Sequence, residues 1–566
     1  ADEGNDPKIF DYSWREWTGL IDGFYYQRWI KFYSMLEEHL NNGTEYNESG
    51  LPQVYGREAF RANTFYNELA NFELNYAATP YKVRYPITQG CELEVASRLY
   101  KKYLKLAKEY YAEDMKEDTI KEGNIFENLG ESSEQAKIVT PNPIQQKWAD
   151  AEIGVLIHFD MPVFRPEYNW RNWGSHPDAS VFNPTQLDTD QWLKAASQIG
   201  AKYAVLVAKH CSGFSLWPTE AHAYSIKHSP WKNGKGDIVK DFIASCAKYG
   251  IRPGIYASTS ANGFLRVDNP GLVQKDSPVS QKEYNDIVVK QLTELWSNYG
   301  KLFEIWFDGG VLAIDKGGAD VLSLVKRLQP EAIAFQGPLG HPNLIRWVGN
   351  EEGVAPYPCW ATADSTTNAD GTVVVKGLHG NPMAPYWCPG ESDFTLRKNN
   401  SFQGGWFWHA GEDHKLFSTD ELVKKYETSV GRNTNMLLGI VIDNRGLVPD
   451  ADMKRLEEFG NAIRKKYTTP VAQTSGSGNE YTLSFDAPES IDRVVIQEDI
   501  AQGERVLQYT VQGKTGNDWV NLCSGTCIGH KRIETFRPVS VSQLRLVIAA
   551  SKAKPQIKKF AAFEVQ

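Results

Sequence analysis

From Trp148 onward, short apolar runs alternate with stretches of helical period. Ile153 to Phe159 reads as a strand, Gln191 to Ile199 as a helix, and Tyr203 to Ala208 as a strand. Asp237 to Tyr249 is helical, Pro253 to Tyr256 strand-like, Tyr284 to Tyr299 helical and Phe303 to Phe307 strand-like. Ala319 to Leu328 and Ala332 to Phe335 repeat the pair. A parallel strand covered on both faces reads as a continuous apolar run rather than an alternation. Repeated units of this kind predict a parallel sheet. Their number, over about 320 residues, favours an α/β fold closed as a (β/α)8-like barrel. The helix from Asp420 and the run Met436 to Ile440 are expected to close it, and Asp450 to Tyr467 forms a last helix.

The flanks read differently. Residues 1–140 are rich in Tyr, Glu, Lys and Leu, with helical period around Trp29 to Leu36 and Ala96 to Lys121. They are expected to be a mainly helical N-terminal extension. Pro141-Asn142-Pro143 marks a linker, so the barrel is placed at 141–471. From about Ala472 the pattern turns to alternation, in Tyr481 to Phe485, Arg493 to Ile496, Val506 to Val511, Trp519 to Leu522 and Leu544 to Ile548. Short strands between turns predict an antiparallel β-sandwich over 472–566.

Composition narrows the function classes. With 566 residues, the chain is too long for one core. A formal net charge of -9 without a basic block argues against nucleic acid as the main partner. No apolar run approaches the length of a membrane span. Aromatic residues make up 12% of the chain, and flat rings suit the apolar faces of sugars. The seven cysteines are odd in number and lack metal-ligand spacing, so no metal is expected. Cys523 and Cys527 are spaced for a local disulfide, and free buried thiols are expected elsewhere. Asn42, Asn47 and Asn399 head N-glycan acceptor triplets, which matter only in a eukaryotic secretory setting.

The candidate chemistry gathers at strand ends. Glu304-Ile305-Trp306-Phe307-Asp308-Gly309-Gly310 ends an apolar run on an acid and a two-glycine turn. In a β/α barrel, that is where catalytic groups sit. The plainer alternative is that Asp308 only caps the next helix. A second carboxylate follows in Trp347-Val348-Gly349-Asn350-Glu351-Glu352-Gly353. Two carboxylates on neighbouring strand ends are the working parts of a retaining glycosidase. His158, Lys209-His210, Tyr256, and Arg346 close other strands, and Trp387 and Glu391 lie near a further one.

These motifs resemble glycoside hydrolase family 29, the α-L-fucosidases, over about residues 148–566. Phe303 to Gly309 resembles the family's nucleophile strand, and Ala208 to Pro218 its Lys-His-His-Asp-Gly-Phe stretch. Gly236 to Val239 and Gly254 to Tyr256 also match. Arg346 to Gly353 resembles the acid/base segment of the subgroup that cleaves α-1,3/1,4-linked fucose. Val494 to Ile500 resembles that subgroup's carbohydrate-binding-like C-terminal module. The resemblance implies that Asp308 attacks the anomeric carbon. It implies that Glu351, matching the family's Gly-Asn-Glu, protonates the leaving oxygen and then activates water. It implies sugar contacts from neutral His158 and His210, from Tyr256 and Trp173, and from Trp387 and Glu391. Arg346 is expected near the carboxylates. No cofactor is implied.

The chain departs from the family at Cys211 and Ser212, where a second His and an Asp are usual. It departs again at Asn172, before Trp173-Gly174, where a Glu is usual. Three readings follow. The first is a retaining exo-fucosidase acting on fucosylated oligosaccharides or glycoconjugates. The second applies the same chemistry to a related sugar such as an α-L-galactoside. The third is a non-catalytic carbohydrate-binding protein, against which the intact Asp308 and Glu351 weigh. A secreted or periplasmic location is expected. Nothing in the sequence sets the oligomeric state.

Overall fold

The computed structural model describes residues 138–367, 373–376 and 379–565. The expected helical extension lies outside the described residues up to position 137, as do Asn42, Asn47 and Cys91. Eight strands form a closed barrel: β1 (Ile153–His158), β2 (Tyr203–Lys209), β3 (Arg252–Ala257), β4 (Glu304–Trp306), β5 (Ile333–Phe335), β6 (Leu344–Trp347), β7 (Gly390–Thr395) and β8 (Thr434–Val441). Every neighbouring pair is parallel, and β8 pairs with β1 from Ile153↔Met436 to His158↔Val441. The expected closure through Met436 to Ile440 is therefore observed.

The helices are α1 (Pro143–Ala149), α2 (Thr189–Gln198), α3 (Ile238–Tyr249), α4 (Gln281–Asn298), α5 (Val321–Leu328), α6 (Thr419–Thr428) and α7 (Asp450–Tyr467). The starts of α1 to α6 carry oxygen-bearing caps, which satisfy amides that the first turn leaves free, whereas α7 follows Pro449 without a side-chain cap. Asp237 caps α3, Ser280 caps α4 in a capping box with Glu283, and Asp320 caps α5. The helix after β4 is thus capped by Asp320, twelve residues beyond Asp308, and the capping alternative for Asp308 falls away. No described α-helix lies between β5 and β6 or between β6 and β7. The second gap holds a small antiparallel sheet of Thr362–Thr367, Val373–Lys376 and Tyr386–Trp387.

Alternation along the strands sorts the side chains. Leu156, Tyr203, Val205, Val207, Tyr256, Trp306, Ile333, Phe335, Ile345 and Leu437 form one buried cluster inside the barrel. Their neighbours Val155, Ile157, Ala204, Leu206, Ile255, Ile305, Ala334 and Leu438 join the cluster beneath the helices. Gly154 makes room for this interior: a Cβ there would lie 2.3 Å from the Tyr203 ring.

The C-terminal sheet has six antiparallel strands, β9 (Ala472–Ser477), β10 (Glu480–Glu498), β11 (Val506–Thr515), β12 (Asp518–Gly525), β13 (Arg532–Ser551) and β14 (Gln556–Glu564), in the order β9-β14-β10-β13-β11-β12. The separate strands expected at Tyr481 and Arg493 are one strand, β10, whose register with β13 shifts between Ser484 and Glu489. The two halves of the folded sheet enclose Leu483, Val494, Ile496, Tyr509, Val511, Leu544, Leu546 and Phe560. The opposite face supplies Val495, Ile533, Ala561 and Phe563 to the barrel's outer core. One set of polar contacts to the barrel runs to residues before the strands begin, and another reaches Tyr357 and Ala361 on the connection between β6 and β7. Lys531 pairs with Glu152, His530 Nε2 lies 3.0 Å from Asp150, and the His530 amide donates to Asn433 at 2.6 Å. Glu152 precedes β1 and Asn433 precedes β8, so these contacts lie at the end of the barrel away from the strand C-termini. Cys523 and Cys527 are both free thiols. The expected local disulfide is absent because Cys523 is held in the ladder opposite Val511, while the Cys527 thiol meets the Cys359 carbonyl at 3.2 Å.

One buried ion pair fastens the barrel exit to α7. Arg397, just beyond β7, is fully buried and donates to Asp452 in the first turn of α7, itself fully buried. A second bond, 3.1 Å long, reaches Asp413, which is 62% exposed. Removing one member of a buried pair leaves an uncompensated charge, at a cost of about 3–5 kcal/mol. Asp452→Ala should therefore lower the urea midpoint sharply, whereas Asp413→Ala should shift it little. Equal shifts in urea titrations of the two variants would contradict this account.

Candidate active site

Alternation carries Asp308 to the inside of the barrel, two residues past Trp306 on the same face. The turn that follows needs glycine. Gly309 and Gly310 have φ of 72° and 78°, and a Cβ on Gly309 would lie 2.6 Å from Asn269. The Tyr256 hydroxyl donates to Asp308 Oδ2 at 2.9 Å. Burial raises the Asp308 carboxyl above its usual range and the Glu351 charge adds to the rise, while the Tyr256 hydrogen bond opposes it. Tyr256 itself is held far above the usual phenol range by burial and by the Asp308 charge, so it stays a donor.

Glu351 and Glu352 part company. Glu351 Oε2 accepts from Trp406 Nε1 at 3.2 Å, and its charge acts on both Asp308 and Asp393. Glu352 is exposed, and its side-chain charge acts on Lys425. Of the two adjacent acids, Glu351 faces the nucleophile candidate.

The two histidines complete one wall. His158 and His210 meet at 5.7 Å between ring centroids, and His210 lies 5.8 Å from Tyr256. Trp406 closes over His158 at 4.9 Å, and Phe407 packs edge-on against both rings. Burial, followed by the neighbouring cation at Lys209, brings His210 down to about 4. Burial also lowers His158 well below the usual imidazole range. Both rings are therefore neutral near pH 7, able to donate from one nitrogen and accept at the other.

The residues where the chain departs from the family take separate directions. The buried Cys211 thiol lies beside Tyr256 and Asp308, and burial with the Asp308 charge pushes it upward. The Ser212 hydroxyl turns inward and donates to Asp160 Oδ1 at 2.8 Å, beneath His210. Asp160 Oδ2 lies 4.0 Å from His210 Nδ1, and burial raises this carboxyl to about 7. Asn172 is exposed, while Trp173 packs at 5.8 Å against Trp170 on the loop after β1.

Three of the expected sugar contacts are not brought to this group. Arg346 sits between Ile345 and Trp347, which face inward, so its side chain leaves the barrel. There it donates to the Cys388 carbonyl and, at 2.7 Å, to the Trp360 carbonyl. Trp387 precedes β7 and packs in the interior cluster with Trp148, and its carbonyl accepts from Gln145. Glu391 opens β7 rather than ending it. It is fully buried on the barrel floor, accepting from Tyr203 at 2.6 Å and from Trp306 at 2.9 Å beside a second buried acid, Glu304. The inward acid that β7 sends toward the mouth is Asp393, two residues on. It accepts from Trp347 Nε1 at 2.6 Å and is raised well above its usual range by burial and by Glu351. The two-residue period from Glu391 was enough to find it. Trp406 and Phe407 were also missed, although Gly404-Gly405-Trp406-Phe407-Trp408 carries three aromatic residues in the loop past β7.

With this geometry in place, similarity to known proteins has a direct structural reading. The family model "Alpha-L-fucosidase" matches residues 125–466. The chain belongs to the α-L-fucosidase family, glycoside hydrolase family 29. A second model, "Alpha-N-acetylglucosaminidase (NAGLU) C-terminal domain", matches residues 3–102. The chain is 32% identical to "Putative alpha-L-fucosidase 1" of Oryza sativa subsp. japonica, over 75% of this chain and 84% of that one. It is 30% identical to alpha-L-fucosidase 1 of Arabidopsis thaliana, over 76% and 90% respectively. A crystal structure of a "putative alpha-L-fucosidase" from Bacteroides thetaiotaomicron superposes with a TM-score of 0.71 at 36% identity, covering 76% of this chain and all of that one. The family places the chain among the glycoside hydrolases. Among the described residues, no helix is long and apolar enough to cross a membrane.

The Tyr256 contact generates a prediction. A nucleophilic carboxylate must be ionised, so turnover is lost as pH falls through its pKa. The Tyr256 hydrogen bond favours the ionised form, and removing it raises that pKa. Tyr256→Phe should therefore move the acid limb of the kcat/KM profile to higher pH. It should also lower kcat by about 10- to 100-fold, the worth of a hydrogen bond to a charged group. A lower rate with an unmoved acid limb would indicate a packing role only.

Proposed function

We propose that the chain removes terminal α-L-fucose from glycans with retention of configuration. In the first step the Asp308 carboxylate attacks the anomeric carbon while Glu351 gives a proton to the departing oxygen. In the second step Glu351 takes a proton from water, which displaces Asp308 from the sugar. The observation that carries this reading is the pairing of the two acids across the mouth. Each acid has its own donor, Tyr256 for Asp308 and Trp406 for Glu351, and the Glu351 charge reaches Asp308. Neutral His158 and His210 are proposed to bind sugar hydroxyls, with Trp173 on the ring's apolar face. Asp393, Trp406 and Phe407 join them as lining groups. The subgroup acting on α-1,3/1,4 linkages and a secreted or periplasmic location are further parts of the proposal.

The same chemistry on a neighbouring sugar such as an α-L-galactoside is the second reading. It is favoured by Cys211 beside Asp308, where the family has a larger polar group. Under either reading the pocket lacks one strong donor. Binding energy from the rest of a glycan then has to support the rate. We further propose domain limits of 1–140, 141–471 and 472–566. The break between Tyr467 and Ala472 and the separate family match at residues 3–102 support them. The C-terminal sheet is proposed to act as a prop, since His530 and Lys531 fasten it to Asp150 and Glu152 at the barrel end opposite the acids.

Asp308→Asn should bind substrate yet lose nearly all turnover, because no glycosyl-enzyme forms. Glu351→Ala should lose most with poor leaving groups and regain activity on an activated aryl glycoside when azide is added. Glu352→Ala should do neither. Azide rescue of Glu352→Ala in place of Glu351→Ala would move the proton donor.

Substrate choice is tested by comparing nitrophenyl α-L-fucoside, nitrophenyl α-L-galactoside and branched fucosylated oligosaccharides. The expected order places the oligosaccharide first and the aryl fucoside well behind. An aryl galactoside that outruns both fucosides would replace the first reading with the second.

A further inference from the structure

His210, Cys211 and Asp308 bring an imidazole nitrogen, a thiol sulfur and a carboxylate oxygen together with all three atoms within 4.8 Å of one another. Two come from the end of β2 and one from the end of β4, so the three approach from two sides of the mouth. We propose that this trio is a binding site for a thiophilic divalent cation of the zinc type, and that such a cation shuts the enzyme by covering its nucleophile.

The donor set carries the choice of metal. Nitrogen, sulfur and carboxylate oxygen together suit zinc, whereas magnesium and calcium take oxygen alone. Three protein ligands with a fourth position open to solvent is the arrangement of an accessible zinc site rather than of a closed structural one. Zinc ligands sit at about 2.0–2.3 Å from the metal, which places ligand atoms about 3.5 Å apart. The present spacing needs an approach of about 1 Å, within reach of side-chain torsions. The thiol gives up its proton as the sulfur–metal bond forms, and that proton leaves to solvent. No electron is transferred. The histidine usual in the family at position 211 would offer nitrogen in place of sulfur, so Cys211 is what makes the donor set soft.

Binding is distinguishable from catalysis, because cobalt(II) bound to a thiolate absorbs in the near ultraviolet whether or not any sugar is turned over. Cobalt(II) titrated into the full chain should give that band with a stoichiometry of one. The band should vanish in Cys211→Ser, although the other six cysteines of the chain remain. A band that persists in Cys211→Ser, or none in the wild type, overturns the site. Zinc should inhibit hydrolysis of whichever aryl glycoside is cleaved, raising KM, and chelation by EDTA should reverse it. The inhibition constant, measured against each variant's own zinc-free rate, should weaken at least about 100-fold in Cys211→Ser, beyond the loss usual for an outer-shell partner. Equal zinc sensitivity of both proteins overturns the inhibition. A cobalt band without fucoside cleavage keeps the metal site and removes the fucosidase reading instead.

Discussion

A closed barrel has one interior, and every second residue of eight strands must share it. The floor of this barrel is filled by acids, which is costly unless each oxygen finds a donor. Trp148 donates to Glu304 at 2.8 Å, and Tyr203 and Trp306 donate to Glu391. Burial and mutual repulsion raise Glu304 far above its usual range, so this acid stays protonated beside Glu391. The arrangement holds Trp306 at a fixed height. Trp306 stacks on Phe335 at 3.9 Å and supports the Tyr256 ring at 5.3 Å. Tyr256 in turn holds Asp308. The position of the nucleophile candidate thus descends, ring by ring, from the buried acids on the floor.

The mouth applies the same burial to groups of opposite charge type and obtains different results. Histidines become neutral and carboxyls resist ionisation, because low dielectric disfavours every charge. Asp308 escapes part of this effect through the Tyr256 hydroxyl. Asp393, which faces Glu351 and accepts from the Trp347 indole, is driven well above the usual range, chiefly by burial. Asp308 and Asp393 therefore both resist ionisation, and the Tyr256 hydroxyl sets Asp308 apart by favouring its anion, the form that attacks in a double displacement.

Long elements were legible in the sequence, and the ends of short ones were not. The apolar runs at Ile153, Tyr203 and Met436 and the helices at Asp237 and Asp450 stand where the pattern put them, because each buries a full face. Strand β6 is short, and no described α-helix stands on either side of it or before β7, so the β/α unit that would place Arg346 and Glu391 is not visible in the pattern. Arg346 was read as a strand-end group, yet one step of the two-residue period turns it out of the barrel. Glu391 is preceded by Cys388-Pro389-Gly390, and such a turn marks the start of a strand as readily as its end. Asp308 was legible because an apolar run and a two-glycine turn bracket it, and Glu351 because Gly349-Asn350-Glu351 resembles the family's acid/base segment.

The C-terminal sheet shows how far a pattern can mislead about continuity. Its apolar residues come in short groups, and short groups suggest short strands. A 19-residue strand, β10, nevertheless runs through two of them, because its register shifts where Asp486 to Ser490 leave the ladder's apolar rhythm. The bend lets one strand serve two cores. Val494 and Ile496 face the sheet's own interior, while Val495 between them faces the barrel. A single strand whose neighbouring residues belong to different hydrophobic clusters couples the two bodies through its pleat. Lys531, His530 and Asn433 add their contacts at the strand starts. The sheet is thereby fastened to the barrel at the starts of β1 and β8, the end opposite the strand C-termini.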